Sequence, residues 1–292
     1  MFWVMLRTCA VLGTVVTGLT LVSGCTAVSA GVRKVAATAK PTHTAKTANK
    51  PVTPTAEQDL ASAVGSLVTN DHNHVSVTVD DLSTGVTASC DGTDNQFVTG
   101  SIVKADILST LLYQDQQSGQ TLSEDEQELA TTMIENSDND SATALFQDIG
   151  TTSGLDAANQ VFGLTDTSAN AAWGLTTTTT DDQITLLRQI FTSDSALSSS
   201  SRDYIQGLMS QVEADQRWGV PAAADSGTTY YVKNGWLPNP DLWEINSIGE
   251  VVHDGQTMLI AVLSSDNESE DSGIDLVQQV ATDAANAIAR ED

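Results

Sequence analysis

Helical periodicity fills the middle of this chain, and strand-like alternation flanks it on both sides, an order few folds accommodate. Residues 57–68 carry Leu60, Val64, Leu67 and Val68 at helical spacing. Residues 74–81 then alternate through Val75, Val77 and Val79, Ser83-Thr84-Gly85 turns the chain, and residues 86–90 continue as a second strand. The period then changes: Ile102, Val103, Ile107, Leu108, Leu111 and Leu112 recur on one buried helical face. Ser123 with Glu126 reads as a capping box opening a helix through Ile134. Further helices are expected over 140–149, 155–162 and 201–212, with another capped by Thr180. Residues 229–237, 243–253 and 258–263 read as strands, the last two joined at Asp254-Gly255, and 274–289 as a closing helix. Residues 264–273 read as a solvated acidic loop. The economical solution is a mixed α/β (α+β) fold. A five-stranded antiparallel sheet is flanked by the terminal helices, and an all-α region, about residues 97–215, is inserted between strands two and three. A cleft is expected between sheet and insert.

The ends of the chain differ from this body. Arg7 precedes an apolar run from Ala10 to Val22, closed by Ser23-Gly24-Cys25, the pattern of a secretion signal of the lipoprotein type. Residues 1–25 are therefore expected to be a signal whose Cys25 becomes the lipidated first residue. The run is short for a membrane span. Residues 26–56, rich in Thr, Ala, Lys and Pro, read as a disordered basic tether, leaving 57–292 as the folded domain. The expected location is extracytoplasmic, anchored to the cell membrane. Residues 1–56 hold six of the twelve Lys+Arg and no acid, and the remainder holds six basic residues against all 38 acids, a balance of −32. Such acidity argues against nucleic-acid binding. Cys90 is the only cysteine beyond residue 25, so the domain has no internal disulfide.

Lysine usage is more pointed. Beyond residue 56 the chain keeps only Lys104 and Lys233, each in an apolar or aromatic context. A lysine buried among apolar side chains is costly without a task or a partner. Lys104 lies one helical turn after Ser101, at the start of the buried helix. A hydroxyl beside a lysine that can lose its proton is an activated nucleophile, and the helix N-terminus favours developing negative charge. Two ammonium groups near one site would push at least one pKa down.

Ser101-Ile102-Val103-Lys104, Ser137-Asp138-Asn139 and Lys233-Asn234-Gly235, in this order, resemble the penicillin-recognising serine enzymes: class A β-lactamases, penicillin-binding proteins and D,D-peptidases. The resemblance spans residues 57–292, since the order of strands and helices fits as well. It implies that Ser101 is acylated, that Lys104 is its base or proton relay, and that Ser137 passes the proton to the leaving nitrogen. It further implies that Asn139 holds substrate and Lys104, that Lys233 faces the substrate carboxylate, and that the N–H groups of Ser101 and Trp236 form an oxyanion hole. Asn234, Gly235 and Trp236 are the implied substrate-binding strand, and β-lactams or peptidoglycan peptides the implied ligands; no cofactor or metal is called for. The sequence departs from the family at two places. Asn234 stands where a Thr or Ser hydroxyl is expected, and residues 163–180 contain no glutamate to activate water, Asp166 being their only carboxylate. Acylation with slow deacylation is the expectation.

Other readings are weaker on residues. His72, His74 and His253 stand at expected strand ends rather than near Ser101, and no third ligand cluster joins His72 and His74 for zinc. Residues 264–273 lack the loop spacing of a calcium site. Trp173, Trp218, Trp236 and Trp243 are scattered, as core or cleft-wall residues are. The rival of another class is a non-catalytic cell-surface lipoprotein that keeps the fold and binds peptidoglycan or a protein partner.

Overall fold

The computed structural model describes residues 55–68, 74–91 and 95–289. The expected signal, Cys25, all but the last two tether residues, and His72 lie outside the described residues. The elements, in chain order, are α1 (Ala56–Val68), β1 (His74–Asp81), β2 (Val86–Cys90), β3 (Phe97–Val98), α2 (Val103–Ser118), α3 (Glu124–Glu135), α4 (Asn139–Asp148) and α5 (Thr151–Phe162). They continue with β4 (Thr177–Thr178), α6 (Thr180–Phe191), α7 (Ser199–Met209), β5 (Tyr231–Asn239), β6 (Leu242–His253), β7 (Gln256–Asn267) and α8 (Glu270–Ile288).

The sheet is antiparallel throughout in the order β2-β1-β7-β6-β5. The chain therefore leaves the sheet at one edge, β2, and re-enters at the other, β5. An edge position also lets β5 accept Pro238, which cannot donate to a ladder. β7 shows why its sequence lacks alternation: Met258, Ile260 and Val262 pack with α1 and α8, while Leu259, Ala261 and Leu263 pack against the helical region. The same α1–α8 layer takes Val75, Val77 and Val79 of β1. At the centre of the helical region α2 is buried at every residue from Val103 to Leu112, polar ones included. A helix apolar on most sides belongs inside a domain.

The five strands, the insert and the capping box at Ser123 stand as the sequence reading has them. Two local expectations change, and one short element is new. The cap of α6 is Thr179, whose side chain accepts from Asp182 N, so Thr180 is the first helical residue. The acidic stretch 264–273 is not a loop. β7 runs to Asn267, and α8 begins at Glu270 with Ser269 as its cap, so Glu270 and Asp271 sit where a helix dipole favours acids. The two-residue pair β3–β4, too short to carry a period, ties Phe97–Val98 to Thr177–Thr178.

Candidate active site

Ser101 rides on the Gly100–Ile102 turn between β3 and α2, and Lys104 on the first turn of α2. Long-range bonds hold this carrier in place. Thr99 N donates to Thr176 O (2.9 Å), and Asn246 Nδ2 on β6 donates to Val98 O (2.8 Å) and Thr99 O (3.1 Å). Asn246 Oδ1 in turn accepts from Ser264 N on β7 (3.1 Å). Two glycines let the carrier approach β5. Gly100 has φ +53°, and a Cβ there would stand 3.1 Å from Trp236 N; a Cβ on Gly235 would stand 2.8 Å from Ser101 N and 2.5 Å from Thr99 O. The backbone nitrogens of Ser101 and Trp236 therefore both lie beside this close approach of carrier and strand.

Ser137 ends the link between α3 and α4 in the left-handed region (φ 56°), a conformation costing on the order of 1–3 kcal/mol for a non-glycine residue. Its neighbours compensate. Asp138 caps α4 by accepting from Ser141 N (2.7 Å), and Asp138 N donates to Thr132 O (3.2 Å). Asn136 bonds Glu213, and Gln216 Nε2 donates to Asn136 O (3.2 Å). Asn139, the first residue of α4, is exposed to the cleft side while its Oδ1 meets Lys104.

These pieces meet at Lys104. Its Nζ lies 3.0 Å from Ser101 Oγ, 2.5 Å from Ser137 O, 3.1 Å from Ser137 Oγ and 2.8 Å from Asn139 Oδ1. From the other wall, Lys233 Nζ donates to Ser137 Oγ (3.1 Å) and to Asn234 O (3.1 Å). Both lysines are fully buried, whereas Ser101 is half-buried. A carbonyl oxygen only accepts, so Ser137 O and Asn139 Oδ1 take both N–H bonds of a neutral Lys104. Its lone pair is then left for the proton of a neighbouring hydroxyl. Burial lowers the Lys104 pKa from 10.5 to about 8, opposed by the charge of Asp138. Lys233 is pushed well below the ordinary lysine value, by burial first and by Lys104 second. The direction agrees with the sequence argument, but the leading cause is desolvation rather than the second ammonium.

Of the eight expected site residues, Ser101, Lys104, Ser137, Asn139 and Lys233 converge through hydrogen bonds, and Gly235 and Trp236 join through the backbone. Asn234 departs from expectation. It is fully buried, and its Nδ2 donates to Gln216 O (2.8 Å) and Trp218 O (3.0 Å), so its amide braces the segment before β5 instead of facing the cleft. Strand alternation explains this, because Lys233 and Asn234 point to opposite faces. Asp166 is exposed, and its carboxylate accepts from Thr165 Oγ1 (3.3 Å) rather than approaching the lysines. Cys90 is half-buried with its thiol pKa raised by burial and by Asp91, the opposite of an activated thiolate. His253 is buried, not an exposed strand end, with Nδ1 2.6 Å from Ala223 O.

One participant escaped the sequence reading: Asn246, which only its position beside Val98 across the sheet reveals. Trp173, read as a core or cleft-wall residue, stands at the site: its ring lies over Lys104 Nζ at 5.0 Å to the centroid, and its Nε1 donates to Thr143 Oγ1 (3.1 Å). It sits in the 163–180 loop whose missing glutamate the sequence did signal.

The model of the "Beta-lactamase enzyme family" matches residues 125–288. No curated protein matches the chain in sequence. Among solved structures, the chain is similar to TLA-1 extended-spectrum β-lactamase, at 16% identity over 80% of this chain and 100% of that one, with a TM-score of 0.73. A representative class A β-lactamase from Bacteroides cellulosilyticus DSM 14838 aligns at 15% identity over 81% and 99%, TM-score 0.70. PBP-A aligns at 23% over 80% and 96%, TM-score 0.68, and a mutant of it has been solved as an acyl-enzyme complex with penicillin G. These likenesses establish a shared fold.

Proposed function

The chain belongs to the β-lactamase enzyme family, and from that premise we propose that it is an active-site serine hydrolase acylated at Ser101 by β-lactams or D-alanyl peptides and slow to release the acyl group. The observation that carries this reading is the unbroken run of contacts from Ser101 Oγ through Lys104 Nζ to Ser137 Oγ and Lys233 Nζ. Lys104 takes the Ser101 proton as Oγ attacks the acyl carbon, and the charge on the carbonyl oxygen falls between the N–H groups of Ser101 and Trp236. The bond to the leaving nitrogen then breaks, and Ser137 hands that nitrogen a proton replaced from Lys104.

Slow release has its own support. Hydrolysis needs a water activated beside the ester. Residues 163–180 supply no glutamate, Asp166 lies elsewhere, and the Trp173 indole covers Lys104. The sequence supports a lipid anchor at Cys25 and, with it, an extracytoplasmic position on the membrane. The rival reading, a non-catalytic lipoprotein that binds peptidoglycan or a protein, finds support in the diverted Asn234 and in a 163–180 segment without glutamate.

Intact-mass spectrometry after incubation with penicillin G separates the two. A covalent adduct on Ser101, lost in Ser101→Ala and persisting over many minutes, is the expected result. A folded domain that takes no adduct leaves the binding reading.

A further inference from the structure

A cavity of about 370 Å³ opens at the far end of α2, where the last turns of that helix meet α3 and α7. Asp115 stands about three turns beyond Lys104, roughly 16 Å along the helix axis, so this hollow is separate from the cleft that holds Ser101. Leu112, Leu122 and Tyr204 give it apolar walls. Its volume falls in the range of small-ligand pockets, roughly 300–1,000 Å³.

Most neutral polar groups around it are already satisfied. Gln116 Nε2 donates to Ala196 O (2.8 Å), and its Oε1 accepts from Ser198 N (2.6 Å). Gln127 Nε2 donates to Leu122 O (2.9 Å), and the Ser198 hydroxyl bonds those of Ser200 and Ser201 (2.9 Å each). Asp115, in the lining, is the exception. Its Oδ2 is buried and meets no donor. Burial raises its pKa, and Glu126, a second acid, raises it further. Arg202 on α7 does not answer this charge with an ion pair; its Nη1 donates to Leu197 O (2.7 Å). The same place is the end of α2, closed by the left-handed Gly119, and a helix C-terminus carries partial negative charge. A carboxylate, a neighbouring acid and a helix end therefore gather beside apolar walls, and a cation would offset the cost of all three. A metal ion fits poorly, since among the described residues no group of His, Cys, Asp and Glu could hold one.

We propose that this cavity binds a small organic ammonium ion, its charged head on Asp115 and its hydrocarbon body against Leu112, Leu122 and Tyr204. The site is independent of acylation at Ser101, and binding there makes and breaks no covalent bond.

The test titrates the nitrogen-15-labelled full chain with three probes of similar shape: cyclohexylmethylammonium, cyclohexylmethanol and cyclohexanecarboxylate. Amide shifts report where and how tightly each binds. The ammonium probe is expected to give saturable shifts at Gly119, Thr121 and Ser198, to bind at least roughly tenfold more tightly than the alcohol, and to leave the carboxylate weakest. Asp115→Asn, which keeps the size of the side chain, should bring the ammonium probe down to the level of the alcohol. Three outcomes overturn the proposal: no saturable shift with the ammonium probe across the millimolar range, an alcohol or carboxylate that binds as tightly, or a preference for the ammonium that survives in folded Asp115→Asn. Should that variant not fold, the wild-type shifts decide. Shifts gathered at those three amides uphold the site, and shifts scattered or gathered elsewhere remove it.

Discussion

Raising the pH from about 7 to about 9 should accelerate acylation of Ser101 roughly tenfold, because the base is the neutral form of a buried amine. With the Lys104 pKa at about 8, roughly one molecule in eleven carries an uncharged Lys104 at pH 7 and about ten in eleven do at pH 9. Lys233 is likewise pushed well below the ordinary lysine value, by burial first and by Lys104 second. Asp138 gives the reasoning a second handle. Its charge opposes the fall of the Lys104 pKa, so Asp138→Asn should move the profile to lower pH, while asparagine keeps the cap on α4. The assay is the single-turnover rate of adduct formation with a fluorescent penicillin, read across that pH range for both proteins. A flat profile, or one that moves to higher pH in Asp138→Asn, refutes Lys104 as the base.

Three further outcomes are expected. Trp173→Ala should shorten the lifetime of the adduct by admitting water beside Lys104, as time-resolved mass spectrometry will read. Gly235→Ala would place a methyl 2.5 Å from Thr99 O and 2.8 Å from Ser101 N, and should slow acylation at least roughly hundredfold while lowering the urea midpoint. Asp106, fully buried in α2, has its pKa raised by desolvation to about 7, with Asn159 opposing and Asp182 and Asp156 adding to the rise. A raised acid contributes stability that is complete below about pH 4 and is lost as pH rises through about 7, up to ~4 kcal/mol. Asp106→Asn should remove that part of the slope in urea unfolding at about pH 5 and 8, and equal slopes in the two proteins contradict it.

The sheet and its helices were legible because they rest on short-range pattern, β7 as an apolar run and α3 as a capping box, and Lys104 stood out as a misplaced charge; the meeting of the three triplets was implied only by the resemblance to the penicillin-recognising serine enzymes. Asn234 was misread, since the order of residues does not say that Gln216 and Trp218 turn their carbonyls toward it. Asn246 was missed, and Trp173 was read no further than a core or cleft-wall residue, for a related reason. Their roles arise where a loop and a distant strand close on the Ser101 carrier, contacts separated by about 70 and 150 residues with no local period to announce them. The 264–273 stretch failed differently: polar composition was taken for irregularity, although acids and serine also begin helices.

The bond from Thr99 N to Thr176 O, with the β3–β4 pair beside it, fastens the 163–180 segment to the same few residues that carry the nucleophile. That segment cannot swing away as a hinged door without dragging Ser101 out of register. Any agent that loosens the loop, whether a protease nick or a bulky substitution, should silence the nucleophile before it unfolds the domain.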